Sequence, residues 1–135
     1  MVARKAFFDT NVLIYAVVQS DPRSTRAEEI LLSGGVLSVQ ILNEFVSVAR
    51  RKLAMSWNEV NEALDAFRVL CPAPLPITTQ VHESALKIAE KHGYNIYDTL
   101  VVAAALDAGC TTLYSEELQH GQTIAGRLTI ENPFR

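Results

Sequence analysis

Residues 6–18 read Ala6-Phe7-Phe8-Asp9-Thr10-Asn11-Val12-Leu13-Ile14-Tyr15-Ala16-Val17-Val18. Ala6-Phe7-Phe8 suits a short buried strand, which Asp9 stops, and Thr10 to Val18 suits a helix. A strand that delivers an acid directly into a helix is an α/β unit, and the rest of the chain repeats its alternation. Asp21-Pro22 breaks the first helix, and Arg23 to Leu32 resumes one with Ala27, Ile30 and Leu31 on one face. Gly34-Gly35 ends it, and Val36-Leu37-Ser38-Val39 is a second short strand.

Ile41 to Leu53 carries two overlapping apolar series at helical spacing, Ile41, Phe45, Val48 and Leu42, Val46, Ala49, Leu53. That much apolar circumference predicts a largely buried helix. Ser56-Trp57-Asn58-Glu59 is a capping box opening a helix with Val60, Leu64 and Phe67 inward. Pro72, Pro74 and Pro76 mark a loop into a short strand near Leu75–Ile77. Val81, Ala85, Ile88 and Ala89 give a helix closed by His92-Gly93. Tyr97 to Ala108 is an almost wholly apolar helix, Thr111 to Tyr114 a strand, and Leu128-Thr129-Ile130 a last one. Strands alternating with helices imply right-handed crossovers and a mostly parallel sheet between helical layers.

The 135 residues fit one domain, with 49% hydrophobic and 20% charged residues, an ordinary globular balance. The two cysteines, Cys71 and Cys110, form no CxxC pair, and the three histidines are scattered. Reduced, buried thiols are expected rather than a disulfide or a zinc site. The longest apolar runs, Val12–Val18 and Leu100–Leu106, are too short to span a bilayer, which takes about 20 residues. Asp9, Thr10 and Asn11 come too early for a secretory signal, so a soluble, cytoplasmic protein is expected. The formal net charge of −3 is poor for holding nucleic acid by phosphate contacts alone. A nucleic-acid role therefore calls for a local basic patch or bound cations.

In open α/β sheets ligands bind beyond the carboxyl ends of the strands, where the acids fall. Asp9 ends strand one, Glu116 and Glu117 follow the late strand, and Asp98 opens the helix leading into that strand. Each has a simpler reading. Asp9 and Asp98 fit helix caps, and Glu116 and Glu117 fit solvated acids of a loop or first turn. Glu44 sits on the apolar third helix, where it pairs with Arg51, faces water beside Ser47, or serves a site. Taken together, acids from separate elements at one sheet edge repel one another unless a cation lies among them. Magnesium is the natural choice, since it takes oxygen ligands, keeps several waters and stabilises charge on a phosphate.

Several motifs carry a resemblance. Phe8-Asp9-Thr10-Asn11-Val12-Leu13-Ile14-Tyr15-Ala16 resembles the opening of PIN-domain nucleases, and most closely the toxin ribonucleases of VapBC-type toxin–antitoxin systems. The likeness continues through Asn43-Glu44, through Ile96-Tyr97-Asp98-Thr99-Leu100-Val101-Val102-Ala103-Ala104-Ala105, through Leu113-Tyr114-Ser115-Glu116-Glu117-Leu118-Gln119-His120-Gly121, and into Glu131-Asn132-Pro133-Phe134. The resemblance implies an α/β/α sandwich, one or two Mg²⁺ or Mn²⁺ ions, and endonucleolytic cleavage of RNA. It implies core acids at Asp9, Glu44 and Asp98, with Asp9 and Asp98 holding the metal directly. The fourth acid falls at Glu117, where most members carry Asp; Glu116 is its alternative. A small antitoxin that blocks the cleft and a homodimer are implied as well.

Around these acids, Thr10 and Ser115 fit either a site role, bonding a metal-bound water or phosphate, or local turn bonds. Asn11 fits either orienting Asp9 or capping the helix, and Arg50-Arg51-Lys52 either touching an RNA backbone or ending a helix as solvated charge. Trp57 is expected to pack near its cap; His82, His92 and His120 fit surface or capping roles better than general bases, and His120, beside Gly121 in the loop after the late strand, is the one to test. Two other functions compete. One is a PIN-like module that works by binding RNA or a partner, kept open by Glu at position 117. The other is a receiver domain or magnesium phosphatase, disfavoured because Asn11 stands where an acid is wanted and no Lys follows the late strand.

Overall fold

The computed structural model describes residues 5–135. The strand β1 (Ala6–Phe8) leads into α1 (Thr10–Val17), and α2 (Ser24–Leu32), α3 (Val39–Arg51), α4 (Trp57–Leu70), α5 (Thr79–His92) and α6 (Ile96–Asp107) follow. The strands β2 (Thr112–Tyr114), β3 (Thr123–Ile124) and β4 (Leu128–Glu131) complete the chain. The sheet order is β1-β2-β4-β3, with β1, β2 and β4 parallel and only β3 antiparallel to β4. The mostly parallel α/β architecture read from the sequence is therefore present. Among the described residues no helix is long and apolar enough to cross a membrane.

Two expected strands reduce to single bridges. Val36 bridges Phe7 and Ser38 bridges Leu75, both in parallel. The reason lies at Ser38: its hydroxyl caps α3 by accepting from the Ile41 N–H, so the helix takes over at Val39 before a ladder can form. The β3 segment was not anticipated, because two residues carry no periodicity. The capping box at Ser56 and Glu59 is present in both directions. Gly93 ends α5 in the left-handed conformation, φ 73°, which glycine adopts at no steric cost.

Burial explains the register. Phe7, Phe8, Leu113, Leu128 and Ile130 are fully buried along the sheet, and the Phe8 and Tyr114 rings stack across β1 and β2 at 5.9 Å. Gly35 lets this packing close. A Cβ there would stand 2.6 Å from the Phe8 ring and 2.7 Å from the Ala6 carbonyl oxygen. Both cysteines are buried and free. The Asp9 N–H donates to the Tyr114 carbonyl at 2.9 Å, which extends the β1–β2 ladder to the point where α1 begins. The carboxyl ends of β1 and β2 are thereby held side by side.

Candidate active site

Asp9 is 7% exposed at the end of β1. Its Oδ1 accepts from the Thr10 N–H at 2.8 Å and its Oδ2 from the Ser115 hydroxyl at 2.8 Å. Burial pushes its carboxyl up to about 6. The Ser115 and Thr10 hydrogen bonds oppose that shift, while the negative charges of Glu117 and Glu44 add to it. Ser115 is fully buried and its oxygen also accepts from the Leu118 N–H at 3.2 Å, so the loop after β2 is fixed to Asp9.

Glu44 projects from α3 and is half-buried. The Thr10 hydroxyl donates to its Oε2 at 2.6 Å and the Gln40 amide to its Oε1 at 3.1 Å. The same amide also donates to the Tyr97 carbonyl at 3.2 Å, tying α3 to the start of α6. The expected pairing of Glu44 with Arg51 does not form, since Arg51 donates to the Ser47 carbonyl; Glu44 stays partly exposed beside Ser47 in the cavity lining and is anchored by protein donors. Asp98 lies in the first turn of α6, but the cap is Asn95, whose side-chain oxygen accepts from the Asp98 N–H at 3.0 Å. The Asn95 amide donates back to the Asp98 carboxylate at 2.8 Å. Burial raises the Asp98 carboxyl, Asn95 opposes this, and the Glu44 charge adds to it.

The adjacent acids Glu116 and Glu117 part company. Glu116 takes the Tyr15 hydroxyl at 2.7 Å and pairs with Arg23 at 3.2 Å. Arg23 also pairs with Asp21 at 2.8 Å and lies 3.8 Å from the centre of the Tyr15 ring. Glu117 instead lines a cavity of about 460 Å³ together with Asp9, Glu44 and Asp98. Among the described residues none of these four acids has an ion-pair partner. Nor do three His, Cys, Asp or Glu side chains there converge tightly enough to enclose a metal ion by themselves.

The family model of the PIN domain matches residues 6–120. The chain belongs to the PIN domain family. Solved structures show the same fold at low identity. A toxin–antitoxin complex from Klebsiella pneumoniae aligns with a TM-score of 0.72 at 18% identity, over 96% of this chain and 98% of that one. VapBC2 from Rickettsia felis, bound to a DNA fragment from its promoter, aligns at 0.67 and 18% identity, over 94% and 97%. The sarcin–ricin-loop-cleaving toxin VapC20 from Mycobacterium tuberculosis aligns at 0.62 and 19% identity, over 84% and 90%. A search of curated proteins finds no match.

Within this PIN domain the lesser candidates sort by contact. Thr10 and Ser115 donate their hydroxyls to acids, which orients those carboxylates. Asn11 makes no hydrogen bond to Asp9, and α1 is capped by Asp9 itself; the Asn11 side-chain oxygen accepts from the Glu116 N–H at 3.4 Å. His120 accepts from the Asn132 N–H at 2.9 Å, a loop contact, and is not part of the cavity lining. The basic run divides: Arg51 and Lys52 line the cavity, whereas Arg50 turns to Met55 and covers Trp57 at 4.4 Å. Trp57 itself is 58% exposed, not packed in as expected. Gln40 and Asn95 were not singled out from the sequence. The Asn95-x-x-Asp98 spacing was a legible cap signal, but nothing local announced Gln40.

Proposed function

We propose that this PIN domain is a metal-dependent endoribonuclease and the toxin half of a toxin–antitoxin pair. The observation that carries the reading is the cavity itself. Four carboxylates from four chain segments line it without an ion-pair partner among the described residues, while Arg51 and Lys52 stand on its wall. Such an arrangement costs folding energy unless something positive is brought in. The donor set is all oxygen, which suits Mg²⁺ or Mn²⁺. An open ring of separated acids fits Mg²⁺ binding through one or two carboxylates and several waters, rather than an all-protein cage.

Asp9 and Asp98 would hold the metal. Each oxygen of Asp9 already accepts one hydrogen bond, which leaves a lone pair on each for a ligand. When bound, the ion would polarise a water and offset charge on the phosphate. Glu44, held from two sides by Thr10 and Gln40, would orient the attacking water and accept its proton. Glu117 would complete the ring, its extra methylene compared with Asp favouring contact through water. Arg51 and Lys52 would draw an RNA backbone to a chain that is otherwise net acidic.

The fold neighbours support the biological half of the proposal. They include a toxin–antitoxin complex and a toxin that cleaves the sarcin–ricin loop. By the sequence resemblance described above, this chain would cut cytoplasmic RNA, form a homodimer and be silenced by a small antitoxin. The competing reading, a PIN domain that only binds RNA or a partner, draws on the absence of a tight acidic cluster among the described residues.

Cleavage of total cellular RNA with Mg²⁺ or Mn²⁺, with EDTA, and by an identically prepared Asp98→Asn variant decides between them. Discrete metal-dependent fragments from the unaltered chain alone are expected, with the variant folded but at least a hundredfold slower. Equal activity in Asp98→Asn would exclude this site as the source of cleavage.

A further inference from the structure

The cavity holds two tyrosines in opposite conditions. Tyr15 is closed: Arg23 covers its ring at 3.8 Å, Phe134 meets it edge-on at 5.0 Å, and its hydroxyl is bound to Glu116. Tyr97 is open. It is 68% exposed, it lines the cavity, and it precedes Asp98 in the first turn of α6. Among the described residues its ring stacks on no other aromatic group and lies under no cation. Its backbone is nonetheless fixed, because its carbonyl accepts from the Gln40 amide that also holds Glu44. Trp57, the other exposed large aromatic, has Arg50 over its ring and is not part of the cavity lining.

We propose that Tyr97 is a stacking platform for one unpaired nucleobase beside the phosphate being cut, and that Arg51 and Lys52 hold the backbone next to it. The inference rests on the nuclease reading, because it places a nucleic acid in the acid-lined cavity. A flat apolar ring at a rim, with two exposed cations in the same cavity, matches what a single strand presents: a π face and a phosphate one nucleotide apart. Neither cation pairs with a carboxylate among the described residues. Stacking accepts every base, so this contact sets conformation rather than sequence. A base inside a duplex is already stacked on its neighbours and cannot reach the ring.

The test is fluorescence-anisotropy binding of a labelled, randomised 12-nucleotide RNA single strand, and of a duplex of the same length. The host is the full chain carrying Asp98→Asn in Mg²⁺, so that the probe survives. Adding Tyr97→Ala is expected to weaken single-strand binding about tenfold, equivalent to about 1.4 kcal/mol, while Tyr97→Trp restores it and duplex binding stays weak throughout. Joint Arg51→Ala and Lys52→Ala substitution is expected to lower the salt dependence of binding. Unchanged binding by Tyr97→Ala, or equal affinity for the duplex, would overturn this inference and leave the nuclease reading standing. The first outcome would reassign the open ring to a protein partner. Failure of the host chain to bind either RNA, together with no metal-dependent cleavage by the unaltered chain, would remove both.

Discussion

Two groups of acids lie within one loop's reach of each other, and they are built on opposite principles. In the first, Asp21 and Glu116 share Arg23, whose guanidinium also lies on Tyr15. The Asp21 carboxyl is held down at about 2, chiefly by its hydrogen bonds from Arg23. In the second, Asp9, Glu44, Asp98 and Glu117 line the cavity with no ion-pair partner among the described residues, and the Asp9 carboxyl is driven up to about 6 by burial. The first group is paired at contact distance, whereas Arg51 and Lys52 share the cavity with the second group without pairing to any of its acids. The first group is joinery; the second leaves its carboxylates without ion pairs.

The largest effect that tests this contrast is the dependence of stability on pH. Asp9 holds its proton more tightly folded than unfolded, since its folded value of about 6 exceeds the ordinary 3.8. Its contribution is therefore most favourable below about pH 4 and is lost as pH rises through 6. The loss amounts to roughly 3 kcal/mol by pH 7. In EDTA, the stability of the chain relative to Asp9→Asn, from urea titrations at pH 4 and pH 7, is expected to fall by up to that amount. Mg²⁺ is expected to flatten the difference. A difference that ignores pH in EDTA would mean that the Asp9 charge is compensated internally, and the contrast would collapse.

Next come the paired substitutions Glu117→Gln and Glu116→Gln. Calorimetric titration with Mn²⁺ is expected to show about tenfold weaker binding for the first, within the range for groups that support a metal ligand set, and no change for the second. Reversed results would exchange the roles of these adjacent acids. The smallest effect belongs to stability. Loss of the partly exposed Glu116–Arg23 pair is expected to cost less than about 1 kcal/mol in thermal or urea unfolding.

The same division marks what the sequence disclosed. Asp9, Asp98 and the capping box announced themselves because each is tied to a local signal, a strand end or a helix start. The mostly parallel sheet followed from the alternation of strands and helices, whereas its order, β1-β2-β4-β3, was not legible in the sequence. The choice between Glu116 and Glu117 was not local: it turns on Arg23, which lies 93 residues away along the chain. Gln40 stayed hidden for the same reason, as its partners are brought together only when α3 meets α6. The strand expected at Val36–Val39 shrank to bridges because a serine cap competes for its last residues, and the one expected at Leu75–Ile77 is left with a single bridge to Ser38.

The hydrogen bond from Ser115 to Asp9 joins groups 106 residues apart, and β1 has no parallel neighbour in β2 until Thr112 arrives. A ribosome making this chain from its first residue therefore releases the early acids long before the late loop that orients them. The nascent polypeptide has no finished cavity until the segment from Thr112 to Glu117 has been synthesised. If the cavity cuts RNA, the order of the chain is itself a safety catch, sparing the translation machinery during the protein's own manufacture.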